Sequence, residues 1–307
     1  MQANLSAESE GQAILPSPLQ RLHHPLLTRY GVELWCKRDD LIHPAISGNK
    51  WRKLKYHLLH AKEHGKRHLL SFGGAYSNHI HALAAAGCQS GLRTTGIIRG
   101  EYDAVSNSTL RDARHWGMDL VFVDRQSYRR RQDPGWLAQF DAPDTLIVPE
   151  GGSSPLAIPG VAELVGEVLF SPDLWVLPCA SGGTLAGLIA GKRDREQILA
   201  IAVLKGGGFI ADEVCRLHPA AANIPGWRIA LDHHDGGYAK FSPDLWQWVQ
   251  NFSATTDLPL EPIYSGKAMW GLFRELAAGR IAPGSRIVFI HTGGMQGLAG
   301  LREQGRL

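Results

Sequence analysis

The sequence predicts an α/β protein with open, twisted, mainly parallel sheets flanked by helices on both faces. Three observations support this. Apolar runs of strand length alternate with segments of helical periodicity from residue 32 almost to the C-terminus. Glycines cluster after the apolar runs, at Gly73-Gly74, Gly151-Gly152, Gly182-Gly183, Gly206 to Gly208 and Gly293-Gly294. Strand-to-helix loops of a ligand-binding α/β protein need that freedom of the backbone. At 307 residues the chain is also too long for one comfortable core, so two units are expected.

Taken in order, Val32 to Cys36 is strand-like and breaks into charge at Lys37. A loop containing Pro44 leads to Gly48-Asn49-Lys50, where a helix running to His64 begins, with Trp51, Leu54, Leu58, Leu59 and Ala61 at spacings that suit one face. His68 to Phe72 reads as a strand and Ser77 to Cys88 as a helix of small residues. Thr94 to Ile98 and Leu120 to Val123 are strands, with a helix from Thr109 to Trp116 between them. Leu146 to Val148 is a strand, and a helix is expected from Val161 to Leu169. Strands follow at Leu174 to Leu177, Ile198 to Val203, Arg228 to Leu231 and Ile287 to Ile290. Helices follow near Leu185 to Ala190, Asp212 to Leu217, Leu245 to Phe252 and Lys267 to Ala278. Arg125 to Pro143 is polar and reads as peripheral. The expected division is a smaller α/β unit, residues 51–160, inserted into a larger one formed by 1–50 and 161–307.

Composition removes several classes of function. The net charge is only +3 and the Arg129-Arg130-Arg131 run is isolated, so no nucleic-acid surface is expected. Cys36, Cys88, Cys179 and Cys215 show neither metal-ligand nor redox spacing and read as reduced, mostly buried thiols. Among 14 histidines, His57, His60, His64 and His68 recur at near-helical spacing, but no acidic partner completes a metal site, and they read as solvated. Met1 to Gln12 is polar without an apolar signal core, and no apolar run approaches a membrane span. A cytoplasmic protein with a short disordered start is expected, without membrane partners.

The chemistry centres on Lys50. A lysine at a helix N-terminus meets the partial positive charge of unpaired amides, and burial adds to the effect, so its pKa falls toward the neutral amine. A neutral lysine is a nucleophile for carbonyls, and pyridoxal phosphate is held in this way. Taken alone, Lys50 could equally be one of several solvated lysines with Lys53 and Lys55.

Other segments add weight. Val176 to Gly187 ends a strand, frees the backbone at Gly182-Gly183 and begins a helix, so amides and a hydroxyl converge as a single phosphate requires. It lacks the lysine of a P-loop and the spacing of a dinucleotide fingerprint. Ser77 and Asn78 start a helix after Gly73-Gly74, either as plain caps or as carboxylate ligands. Tyr264-Ser265-Gly266-Lys267, His291-Thr292-Gly293-Gly294 and Gly236-Gly237-Tyr238 place hydroxyls beside glycines.

Read in order, Lys37-Arg38-Asp39-Asp40, Ser47-Gly48-Asn49-Lys50, Ser77-Asn78-His79, Gly151-Gly152-Ser153-Ser154, Ser181-Gly182-Gly183-Thr184, Tyr264-Ser265-Gly266-Lys267 and His291-Thr292-Gly293-Gly294 form a pattern. It resembles the pyridoxal-phosphate enzymes 1-aminocyclopropane-1-carboxylate deaminase and D-cysteine desulfhydrase from about Pro18 onward. The resemblance implies a fold-type-II pyridoxal-phosphate enzyme in which Lys50 forms the internal Schiff base. By the same resemblance Asn78 bonds the ring oxygen, Ser181, Gly182, Gly183 and Thr184 hold the phosphate, and Ser77 lies near the substrate carboxylate. Tyr264 faces the reacting carbons and Tyr238 is the second active-site tyrosine. The deaminase pattern has a glutamate and a leucine where this chain has Ser265 and Thr292, which sit beside the cofactor and here resemble the desulfhydrase. The implied reaction is α,β-elimination on a small D-amino acid, and the expected assembly is a homodimer. No metal is expected.

Overall fold

The computed structural model describes residues 12–100 and 107–307. The expected disordered start therefore lies, as far as residue 11, outside the described residues. The chain opens with β1 (Leu19–Leu22), α1 (Pro25–Tyr30), β2 (Glu33–Lys37) and α2 (Asn49–Glu63). Then come β3 (His68–Gly74), α3 (Asn78–Ser90), β4 (Arg93–Arg99), α4 (Ser108–His115) and β5 (Asp119–Val123). Two short helices, α5 (Arg125–Arg129) and α6 (Pro134–Leu137), lead to β6 (Thr145–Ile147) and α7 (Ala157–Gly166). β7 (Leu174–Cys179), α8 (Gly183–Gly191), β8 (Gln197–Ala202), α9 (Ile210–Leu217) and β9 (Trp227–Ala230) continue the alternation. The last elements are α10 (Pro243–Thr256), α11 (Ser265–Ala277), β10 (Arg286–Ile290) and α12 (Gly297–Glu303).

The described residues form two sheets, one of six strands in the order β1-β2-β10-β7-β8-β9 and one of four in the order β5-β4-β3-β6. Every neighbouring pair is parallel except β1 with β2. Parallel strands need crossovers, and the crossovers put helices on both faces. On one face of the larger sheet Leu34, Val176, Leu199 and Phe289 pack against Val249, Phe252, Met269 and Leu272 of α10 and α11. On the other, Trp175, Leu177, Ile198 and Val288 meet Leu164, Leu188 and Val214 of α7, α8 and α9.

The strand orders reverse at two places, and ligands of open α/β sheets bind outside the carboxyl ends of strands at such points. In the larger sheet β10 lies between β2 and β7, so the loops after all three converge. In the smaller sheet β3 lies between β4 and β6, and the loops after β3 and β6 emerge together. These five loops carry Ser47 to Lys50, Thr292-Gly293, Ser181 to Thr184, Ser77-Asn78 and Gly151 to Ser153.

Where structure and sequence pattern differ, the cause is local. The β1 edge strand and the one-turn helices are too short for periodicity to register. The Arg125 to Pro143 stretch is not simply peripheral. Asp124 caps α5 by accepting from the amides of Gln126 and Ser127. Tyr128 and Trp136 are buried against Leu70, Phe72 and Ile97. The helix expected at Val161 to Leu169 instead ends at Gly166, and Leu169 is 97% exposed.

α2 is tied down by a buried ionic cluster. Arg52 donates to Asp39 at 2.6 and 2.8 Å and to Glu167 at 2.9 Å twice. Lys37 donates to Glu167 at 2.6 Å and to the Ser17 carbonyl, and the Ser17 hydroxyl donates to Asp39 at 2.7 Å. Two cations meet two carboxylates, so charge balances, and β2, α2, α7 and the segment before β1 are joined at one point.

Candidate active site

Lys50 stands in the first turn of α2, whose N-cap is Gly48 at φ 66°. A side chain at Gly48 is impossible, because a Cβ there would lie 1.9 Å from the Thr292 carbonyl oxygen. The loop after β2 thus presses on the loop after β10, and the Asn49 amide donates to the Thr292 carbonyl at 3.2 Å. Lys50 Nζ donates to Asn49 Oδ1 at 2.9 Å, and Asn49 Nδ2 donates to Thr184 Oγ1 at 2.8 Å. Asn49 therefore joins the lysine to the head of α8. Burial lowers the Lys50 pKa from 10.5 to about 8.

Lys53, one turn further, points the same way. This correction to the solvated reading was accessible, because residues three apart share a helix face. Its side chain is buried, and Nζ donates to Ser153 Oγ at 3.0 Å and to the Gly151 carbonyl at 3.3 Å. Burial, with Lys50 nearby, holds its pKa well below the usual lysine value. Ser153 Oγ in turn shares a hydrogen bond with Ser181 Oγ at 2.8 Å. Gly183 is the open side of this group, since a Cβ there would fall 2.6 Å from Ser153 Oγ and 3.0 Å from Lys53 Nζ.

Across the cleft, α3 begins at Asn78, and the Ser77 hydroxyl accepts from the Ile80 amide at 3.3 Å. Gly294 brings the loop after β10 against this helix start, and a Cβ on it would lie 3.1 Å from Asn78 Nδ2. Tyr264 and Tyr238 form a pair, with their hydroxyls 3.0 Å apart and their rings edge-on at 71°. Burial raises the Tyr264 phenol pKa well above the usual range, and loss of water around the hydroxyl also raises that of Tyr238, a residue that is 49% exposed. Buried Lys267 places the Tyr238 loop by donating to the Gly237 carbonyl at 2.7 Å. Ser265 is not a free hydroxyl, because it donates to buried Glu261 Oε1 at 2.9 Å. The structure thus gathers Lys50, Asn78, Ser181 to Thr184, Thr292 and Ser77 at one set of strand ends, and Glu261, set against Gly294, brings the start of α11 with Tyr264 beside them. It adds Lys53, Asn49 and Ser153, which the sequence reading left without a role.

A sequence model of the pyridoxal-phosphate dependent enzymes matches residues 11–293. The chain belongs to that family. A bifunctional D-cysteine desulfhydrase/1-aminocyclopropane-1-carboxylate deaminase of Arabidopsis thaliana, a mitochondrial protein, is 29% identical over 93% of this chain and 78% of its own length. A D-cysteine desulfhydrase of Klebsiella pneumoniae is 27% identical over 92% of this chain and 93% of its own. A crystal structure titled as an ACC deaminase homologue superposes with a TM-score of 0.81 at 26% identity, covering 96% of this chain and 94% of that one. The fold is that of the type-II pyridoxal-phosphate enzymes, and pyridoxal phosphate is the cofactor.

The residues present fit that cofactor. Lys50 and Lys53 are two lysine amines with no carboxylate partner among the described residues, beside a helix N-terminus and a glycine cradle. A dianion supplies the missing charge, and a neutral Lys50 amine supplies the nucleophile. Among the described residues no group of histidine, cysteine or carboxylate side chains could hold a metal. No helix among them is long and apolar enough to cross a membrane. The histidine reading needs one correction: His57 is buried, bonded to the Lys53 carbonyl and the Ser154 hydroxyl. Of the cysteines, Cys36 and Cys179 are buried, Cys215 is partly buried and Cys88 is exposed.

These lysines give stability a pH dependence. Lys50 and Lys267 both titrate near 8 when folded and near 10.5 when unfolded. Between those values the unfolded chain binds more protons, so stability rises with pH. Lys50 should contribute about 1–2 kcal/mol of added stability to the cofactor-free protein between pH 8 and 10, read by urea unfolding as the difference from Lys50→Met, because Cys36 and Cys179, whose thiols burial pushes up, act in the opposite direction over the same window. An unchanged slope in that variant would contradict the burial of the amine.

Proposed function

We propose that the chain is a pyridoxal-phosphate lyase that carries out α,β-elimination on a small D-amino acid. D-cysteine is the leading substrate: with one water it gives pyruvate, sulfide and ammonia. The observation that carries this reading is the Lys50 amine, its pKa lowered by burial to about 8, linked through Asn49 to an anion cradle. Lys50 Nζ would hold the cofactor's carbonyl carbon, and Ser181 to Thr184 with Lys53 would hold its phosphate. Asn78 and Thr292 would orient the ring, and Ser77 with the α3 amides would bind the substrate carboxylate. When bound, the cofactor accepts the electron pair released at Cα.

Lys50 Nζ would take the proton from the substrate's Cα. The Tyr264 hydroxyl, hydrogen-bonded to Tyr238, would supply a proton to the departing sulfur. Choice of D-cysteine rests on the hydroxyls of Ser265 and Thr292, which match the desulfhydrase pattern, and on the relatives that bear that name.

Deamination of 1-aminocyclopropane-1-carboxylate is a second reading. It is favoured by Glu261, which supplies a carboxylate hydrogen-bonded to Ser265 after all. A cofactor-binding amino-acid sensor is the third. Incubation of the holoprotein with a panel of D- and L-amino acids separates them. Pyruvate from D-cysteine supports the proposal, 2-oxobutyrate from the cyclopropane substrate supports the second reading, and no keto acid from any member leaves the sensor.

A further inference from the structure

Glu261 is a buried carboxylate that the proposed chemistry does not use. It is 2% exposed and forms no ion pair among the described residues. Oε1 accepts from the amides of Tyr264 at 2.9 Å and Ser265 at 2.6 Å, and from the Ser265 hydroxyl at 2.9 Å. Oε2 accepts from the amides of Ile263 at 2.7 Å and Tyr264 at 3.1 Å.

A helix leaves its first amides unpaired, and the N-cap side chain ordinarily satisfies one of them. Here the N-cap position is Tyr264, at φ −120° and ψ −72°, and its side chain makes no capping bond. A phenol cannot fold back onto the amides as a serine or aspartate does. Glu261, three residues upstream, performs that task, and the N-cap side chain is released to reach Tyr238. The carboxylate also borders the site itself. A Cβ on Gly294 would lie 3.6 Å from Glu261 Cδ and 3.1 Å from Asn78 Nδ2, so both groups line one space.

We propose that Glu261 is a positioning residue for Tyr264: it caps α11 in place of the N-cap side chain and fixes the phenol against Tyr238. Its negative charge also favours the protonated form of both phenols. The part of the proposal that concerns turnover rests on the lyase reading; the part that concerns the phenol does not.

Two measurements test it. In cofactor-free protein labelled with tyrosine ¹³Cζ, the Tyr264 signal is assigned by its loss in Tyr264→Phe. In Glu261→Gln its titration midpoint should move down toward that of an ordinary tyrosine, because a charge is lost and an amide NH₂ is turned against amide donors. In the holoprotein, Glu261→Gln should lower kcat by about tenfold or more with KM changed little. In the Tyr264→Phe background the same change should have no further effect on kcat. An unmoved Tyr264 midpoint in folded Glu261→Gln overturns the proposal, as does an undiminished kcat loss in the Tyr264→Phe background. Should Glu261→Gln not fold, Glu261→Asp carries the test with a smaller shift of the same sign, and an unmoved midpoint there overturns it. A shifted midpoint in a protein that turns over no amino acid refutes the lyase reading and leaves the positioning of Tyr264 standing.

Discussion

Lys50→Ala is expected to leave a folded protein whose turnover falls by about 10⁴-fold or more, since one side chain supplies both the covalent anchor and the base. Borohydride treatment of the wild-type holoprotein should fix the cofactor to the chain; in the variant it should fix none. Lys53 is the obvious substitute, being close by and also held well below the usual lysine pKa by burial. Its amine is committed elsewhere, to Ser153 and the Gly151 carbonyl at the Gly183 side of the cradle, whereas Lys50 reaches Asn49. Mass mapping of the reduced protein therefore decides the matter. A peptide modified at Lys53 in the variant, with turnover retained, would show that either lysine can hold the cofactor.

The second large effect is on stability. Arg52→Met should lower the free energy of unfolding by about 3–5 kcal/mol, read from the urea midpoint at unchanged m. Removing the guanidinium leaves Asp39 and Glu167 facing one another with Lys37 as the single cation among them. Four charge-assisted hydrogen bonds are lost in a site closed to water. The damage should reach the cofactor too, because the Asp39 carbonyl accepts from the Gly48 amide at 3.1 Å, and Gly48 precedes the turn that holds Lys50. A loss below about 1 kcal/mol would mean that the cluster is dispensable and that apolar packing alone holds α2 in place.

Much of the site was legible in the chain. Gly48-Asn49-Lys50 marks a helix start after a strand and a loop, and Gly182-Gly183 marks another. Glycine freedom and helix-start amides are properties of a few consecutive residues, so they show in one sequence. Lys53 was legible by the same logic, since it stands one turn after Lys50 on the same helix. Glu261 was not, because before Pro262 it reads like any charged loop residue, and only enclosure by the loop after β10 makes it a buried cap.

Alternation and glycine placement by themselves determined an α/β chain with parallel sheets, and the seven ordered motifs determined its cofactor class. These rest on local periodicity, turn chemistry and residue order, which act within one element or one loop. Tertiary structure alone decided which charges are paired and which are left for a ligand. Arg52 finds Glu167, 115 residues away, while Lys50 and Lys53 find no carboxylate among the described residues. It likewise decided that Tyr264 and Tyr238, 26 residues apart, face each other as protonated phenols. The physical reason is burial: the loss of water that shifts a lysine or a phenol is imposed by neighbours from distant parts of the chain, and only the fold brings them together.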